Sequence, residues 1–209
     1  MNTSESARYL LSILTEMGKK NTNPVLLALP DPKHIELKHK YHIPPFQTNN
    51  FRFKSFYHCH VYPDKKETEH GHFHFFVKQK QSEKWQHLAA LSMNNQGQPE
   101  QWLTVNQWVT DSDWIEVNDF DSLFKELSNL ESDDLLHEWI IAIIILYRDQ
   151  LRELIEQRDQ QLSLIKTDIN DPDIINNRDI YRLSGYNIFL EDKLNEHISV
   201  FTSQPEEQQ

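Results

Sequence analysis

The sequence predicts an α+β fold: an antiparallel meander sheet of four or more strands, packed against N-terminal and C-terminal helices. Two patterns carry this expectation. Residues 51–110 alternate with period two between short polar turns, and residues 119–165 place apolar side chains at helical spacing. Strands grouped before helices make layers, not alternating βαβ units. A chain of 209 residues, 38% of them hydrophobic, suits one domain over 1–201. Within it, 51–110 is strand-rich, 119–165 is helical, 174–201 holds a strand and a helix, and 202–209 reads as a disordered tail.

In chain order, residues 4–19 read as a helix with Leu10, Leu11, Leu14 and Met17 on one stripe and Ser4 or Ser6 as cap. Residues 20–50 are punctuated by Pro and Asn, with room for short extended pieces. Phe51–Tyr62, His70–Lys78, Gln86–Met93 and Gln101–Val109 read as strands, the last two joined by the turn-forming "NNQGQP". A short helix is expected over Asp119–Leu130. A long one follows over 133–165, with Ser132 or Asp133 as cap and "NDPD" ending it. Ile180–Ile188 reads as a further strand and Phe189–Phe201 as a final helix.

The net charge of −11 argues against a nucleic-acid phosphate binder, which needs a basic surface, and is compatible with holding cations. Cys59 is the single cysteine, so neither an internal disulfide nor a cysteine-based zinc knuckle can form. The N-terminus lacks the pattern of a signal peptide, and the apolar run Trp139–Tyr147 is too short for a bilayer. These features lead to the expectation of a cytoplasmic protein without membrane partners. The sequence names no protein partner.

The stretch "FYHCHVYPDKKETEHGHFHFF", Phe56 to Phe76, holds five histidines. Alternation places His58 and His60 on one strand face, and His70, His72 and His74 on one face of the next strand. Tyr57, Cys59, Val61, Phe73, Phe75 and Val77 then face the core. One register of the right parity pairs His60 with His72 and His58 with His74. Opposed imidazoles on neighbouring strands can converge on one ion. His87 follows on the next strand. Glu69 is the nearest carboxylate, on the other face by strict alternation but at a strand start where alternation can fail. If Leu103 and Val105 face the core, Trp102, Asn106 and Trp108 share the histidine side. The result is a pocket of imidazoles with an aromatic rim and an amide, suited to a small-molecule substrate.

The expected metal ligands are therefore His58, His60, His72 and His74, then His70 and His87, with Glu69 in reserve. The cofactor is a divalent transition metal: zinc, iron or copper. Trp102, Asn106 and Trp108 are the expected ligand-binding residues. The same histidines on a solvated face would instead make a metal-free interaction surface or a pH sensor. Whether the chain is an enzyme or a non-enzymatic binder stays open at this level. His34, His39 and His42 read as surface residues, and His137 and His197 as helix-surface residues. Arg158 reads as part of a solvated face or a structural pair. A cupin barrel also uses His-x-His on a strand, but four glycines and a helical second half argue against one.

"YHCH", "EHGHFHFF", "HLAALSM", "GQP" and "TVNQWVT" followed by Trp114, with "RDQQL" and "NNRDIYRLS" further on, resemble an uncharacterised bacterial domain-of-unknown-function family. The resemblance spans roughly residues 40–185. It implies that His58, His60, Glu69, His70, His72, His74, His87, Asn106 and Trp108 belong to a shared site, and names no reaction. The chain departs from the family pattern in two places. It has Asp111-Ser112 where a Gly-Glu pair is expected, and "FQTNNFRFKSF" where an acidic segment is expected.

Overall fold

A computed structural model describes residues 1–48, 51–60, 67–79, 82–166 and 168–202, with side chains to residue 197. Five strands form an antiparallel meander: β1 (Tyr41–Gln47), β2 (Phe51–His58), β3 (Glu69–Gln79), β4 (Gln86–Asn94) and β5 (Pro99–Val105). β6 (Asp113–Trp114) pairs in parallel with the start of β4, and β7 (Arg182–Asn187) lies antiparallel beyond β5. The helices are α1 (Thr3–Lys19), α2 (Pro24–Ala28), α3 (Gln107–Thr110), α4 (Phe120–Leu127), α5 (Leu135–Leu146), α6 (Arg148–Ile165), α7 (Pro172–Ile175) and α8 (Leu190–Thr202). The α+β architecture is therefore present, with more strands than the minimal four.

Local chemistry explains most element ends. Asn2, not Ser4 or Ser6, caps α1 through a capping box with Glu5. Ser6 is buried, and its hydroxyl donates to the Ala142 carbonyl at 2.7 Å, tying α1 to α5. Pro44 and Pro45 fall in β1, an edge strand where a missing N–H costs little, and the register slips between Ile43 and Phe46. Gly97 takes φ +75° in the β4–β5 turn, while the Asn94 side chain accepts from the Gln96 and Gln98 amides at 2.9 Å.

Four sequence expectations need correction here. The strand expected to run through Val109 stops at Val105, because the Asn106 side chain caps α3. The long helix is two: the turn at Tyr147, φ −100° and ψ 22°, separates α5 from α6. Its cap is Asp134, which accepts from the Leu136 and His137 amides. "NDPD" is also more than a stop, since Asp171 caps α7 with Pro172 in its first turn. Val61 and residues 203–209 lie outside the described residues.

The main core lies between one sheet face and the helices. Tyr57, Phe73, Phe75, Leu91 and Trp102 point into it from the sheet. α5 is buried from Leu136 to Leu146 except at Glu138, with Trp139, Ile140, Ile143 and Ile144 fully enclosed. Each such side chain contributes about 1.5–3 kcal/mol on leaving water. A smaller cluster of Trp114, Leu162, Ile174 and Leu183 closes the far end. Among the described residues, no helix is long and apolar enough to cross a membrane.

Candidate metal centre

The histidine rows lie side by side on the sheet face opposite the main core. The observed register sets His58 opposite His72 and Phe56 opposite His74, two residues from the pairing considered above but of the same parity. His58 Nε2 and His72 Nε2 are 2.7 Å apart. With His74 they form a buried set whose ligand nitrogens all lie within 4.8 Å of one another. Two nitrogens on a tetrahedral zinc stand about 3.3 Å apart, given Zn–N bonds of about 2.0–2.1 Å. Small side-chain rotations would therefore seat an ion.

The outward nitrogens are buttressed. His72 Nδ1 lies 2.8 Å from Glu69 Oε1, both side chains almost fully buried. His74 Nδ1 lies 3.0 Å from His87 Nε2. When His72 donates to Glu69 and His74 donates to His87, Nε2 of both rings is left as a lone-pair donor, that of His72 facing His58 Nε2 at 2.7 Å. Such partners fix tautomer and ring orientation in metal sites.

Two irregularities make this arrangement. Between Glu69 and Gly71 the β3–β4 register slips by one residue. This bulge brings Glu69 onto the histidine face, and His70 leaves it. His70 Nδ1 instead meets the Tyr57 hydroxyl at 2.6 Å and Cys59 Sγ at 3.8 Å. The expectation that His70 shares the face of His72 and His74 is corrected accordingly. The second slip makes Leu88 the extra residue between the pairs Phe75–Ala89 and Phe76–His87. It turns His87 toward His74, whereas Ala89 and Leu91 face the core. His60 lies past the end of β2, half-buried, with its ring 4.6 Å from that of His58 and 5.1 Å from that of His72.

Burial keeps His58, His74 and His87 neutral. Desolvation, then His72, His60 and Lys40, pushes His58 down to about 2. Desolvation, then Arg158 and His72, pushes His87 down to about 3. His74 is held well below the ordinary range by burial and then by the surrounding imidazoles. Neutral imidazole is the form that ligates metal.

Of the three expected ligand-binding residues, Trp102 and Asn106 lie elsewhere, and Trp108 stands beside the histidine centre without joining it. Trp102 is fully buried in the main core against Phe75 and Tyr147, so the phase assumed for β5 is inverted: Leu103 pairs with Ala90 and shares its face. Asn106 is fully buried and donates to the Ile174 carbonyl at 2.9 Å, anchoring the α7 segment. Trp108 donates to the Ile180 carbonyl and lines a pocket beside the histidines. That pocket is also lined by His42, read from the sequence as a surface residue, and by Lys40, Lys54, Phe56, Phe76 and Trp85, to which the sequence reading gave no site role. A signal was there: Lys54, Phe56 and His58 share one parity, as do His74 and Phe76.

The remaining histidines have structural contacts. His137 Nε2 donates to the Pro44 carbonyl at 2.8 Å, and His197 lies 3.3 Å from the Ser4 hydroxyl. Arg158 is buried, donates to the Ile115 carbonyl at 2.8 Å and covers the Trp114 ring.

A β-bulged hairpin carrying three convergent imidazoles on an α+β sheet defines a histidine-cluster protein. Residues 4–188 match the family described as Domain of unknown function (DUF6969), and the chain belongs to that family. No curated protein and no solved structure matches it.

Proposed function

We propose that the chain binds one divalent transition metal ion through His58, His72 and His74. The observation that carries this is the convergence of three buried imidazoles, two of them backed by Glu69 and His87. Three imidazoles suit zinc, iron or copper and leave coordination positions open. An open position favours an exchangeable ligand, and hence metal-assisted chemistry on a small molecule, over a closed structural site. His60, beside both His58 and His72, is placed to complete the shell or to carry protons. Sensing near neutral pH is the weaker reading, since burial holds His58, His74 and His87 neutral there.

The test is metal content by mass spectrometry on tag-free protein purified without a nickel column, beside a His72→Ala/His74→Ala variant. Near-stoichiometric metal in the parent, lost in the variant, supports the proposal. Absence of metal in both, with no uptake on titration, refutes it.

A further inference from the structure

Beside the histidine centre lies an open pocket of about 470 Å³, large enough for a small organic molecule. Its floor is a stacked pair, Phe56 and Phe76, both buried, with centroids 5.6 Å apart. The flat apolar surface the pocket offers to a ligand is that of Trp85 and Trp108, both half-buried. Phe56 also touches the metal-site rings, 5.2 Å from His58 and 5.1 Å from His74 between centroids. The pocket and the imidazoles are therefore adjacent rows of the same sheet face.

Cations stand over these rings. Lys40 Nζ is 5.0 Å from the centre of Phe56, and Lys54 Nζ is 5.0 Å from Phe76 and 4.2 Å from Trp85. Lys84, by contrast, is paired with Asp113 at 3.2 Å. Among the described residues, neither Lys40 nor Lys54 has a carboxylate partner. Ring contacts hold an ammonium in place without neutralising it. Asp111 on the same wall offsets one of these charges, so the lining keeps a net charge of +1 (Lys40, Lys54 and Lys84 against Asp111 and Asp113), a focused attraction for an anion in a chain of net charge −11. Partial burial, then Lys40 and Lys78, lowers Lys54, in keeping with cations gathered at one place.

We propose that this pocket binds a small organic anion with a flat, aromatic body: the ring lies against Trp85 and Trp108, above the Phe56–Phe76 floor, and the anionic group meets Lys40 and Lys54. Binding follows from the pocket's own lining. Its role as the substrate pocket of the histidine centre rests on the metal reading above.

The experiment is calorimetric titration of the full chain with 2-naphthoate, neutral 2-naphthamide and inorganic phosphate. Metal content is measured on the same samples, and the titrations are repeated after chelation. The expected result is naphthoate binding at least tenfold tighter than either control. A Lys40→Met/Lys54→Met variant of unchanged melting temperature should weaken it at least fivefold, while retaining the parent's metal content. A Lys54→Arg variant, which keeps the charge, should retain most of the affinity and guards against a folding defect. Equal affinity for naphthoate and naphthamide, binding of phosphate as tight as naphthoate, or no naphthoate binding would each overturn the inference. Naphthoate binding in a metal-free parent that takes up no ion would sink the metal centre alone. A metal-loaded parent that ignores naphthoate would sink the pocket alone.

Discussion

Glu69 Oε1 lies 2.8 Å from His72 Nδ1, inside a sheet face from which both side chains are almost wholly shielded from water. A buried carboxylate facing an imidazole orients the ring and strengthens its other nitrogen as a ligand. Glu69→Gln keeps the shape but removes the charge, so metal affinity should fall by about 10–100-fold. Competition with a chromophoric chelator measures this, and an unchanged circular dichroism spectrum confirms that the fold persists. Parent-like affinity in the variant would mean that the carboxylate does not support a ligand.

Gly71 sits at the β3 bulge, between Glu69 and His72. A Cβ there would lie 2.6 Å from the His58 carbonyl oxygen, 2.7 Å from Cys59 Sγ and 2.7 Å from the Tyr57 hydroxyl. The nearest obstacle is backbone of the paired strand, which cannot move aside without shifting His58. Gly71→Ala should therefore cost about 1–3 kcal/mol, as overpacking does elsewhere. Urea melts should show a lower midpoint, and metal uptake should weaken with it. A midpoint equal to the parent's would show that β2 and β3 part more easily than this packing implies.

Much of this fold, and the heart of the site, could be read from alternation. β2 pairs continuously with β3 from Phe51 to His58, so the shared parity of His58, His72 and His74 follows from a count of two. The faces of His70 and Glu69 did not follow, because one extra residue exchanges them. His87 depends in the same way on the extra Leu88. β5 was misphased for another reason: it is buried on both faces, with Trp102, Leu103, Thr104 and Val105 all enclosed, so polarity no longer marks the side. The break at Tyr147 carries neither Pro nor Gly, the residues that mark a helix end in a sequence.

The neutral imidazoles make the metal-free protein sensitive to acid. His58, His74 and His87 have pKa values lowered on folding, while the unfolded chain titrates near the ordinary histidine value of about 6.5. Below that value the unfolded state binds more protons, so stability is full above about pH 6.5 and declines as pH falls toward the folded values. Each ring contributes a slope of up to about 1.4 kcal/mol per pH unit. Urea melts of chelated protein between about pH 5 and 7.5 should show this decline, and His87→Gln should flatten it. A level profile in the parent would mean that the rings accept protons while folded.

Trp102 separates the two faces of the sheet in a single substitution. Its ring is fully buried against Phe75 and Tyr147, on the opposite side from His74. Trp102→Ala removes one of the largest core side chains and should cost about 3–5 kcal/mol, the range for large-to-small changes in a packed interior. Metal bound per folded molecule should not change, since no histidine ligand rests on that ring. Denaturant melts and metal content, measured on the same soluble fraction below the unfolding midpoint, separate the two effects. Loss of metal at full folding would place Trp102 back at the histidine site, as the simple alternation of β5 had suggested.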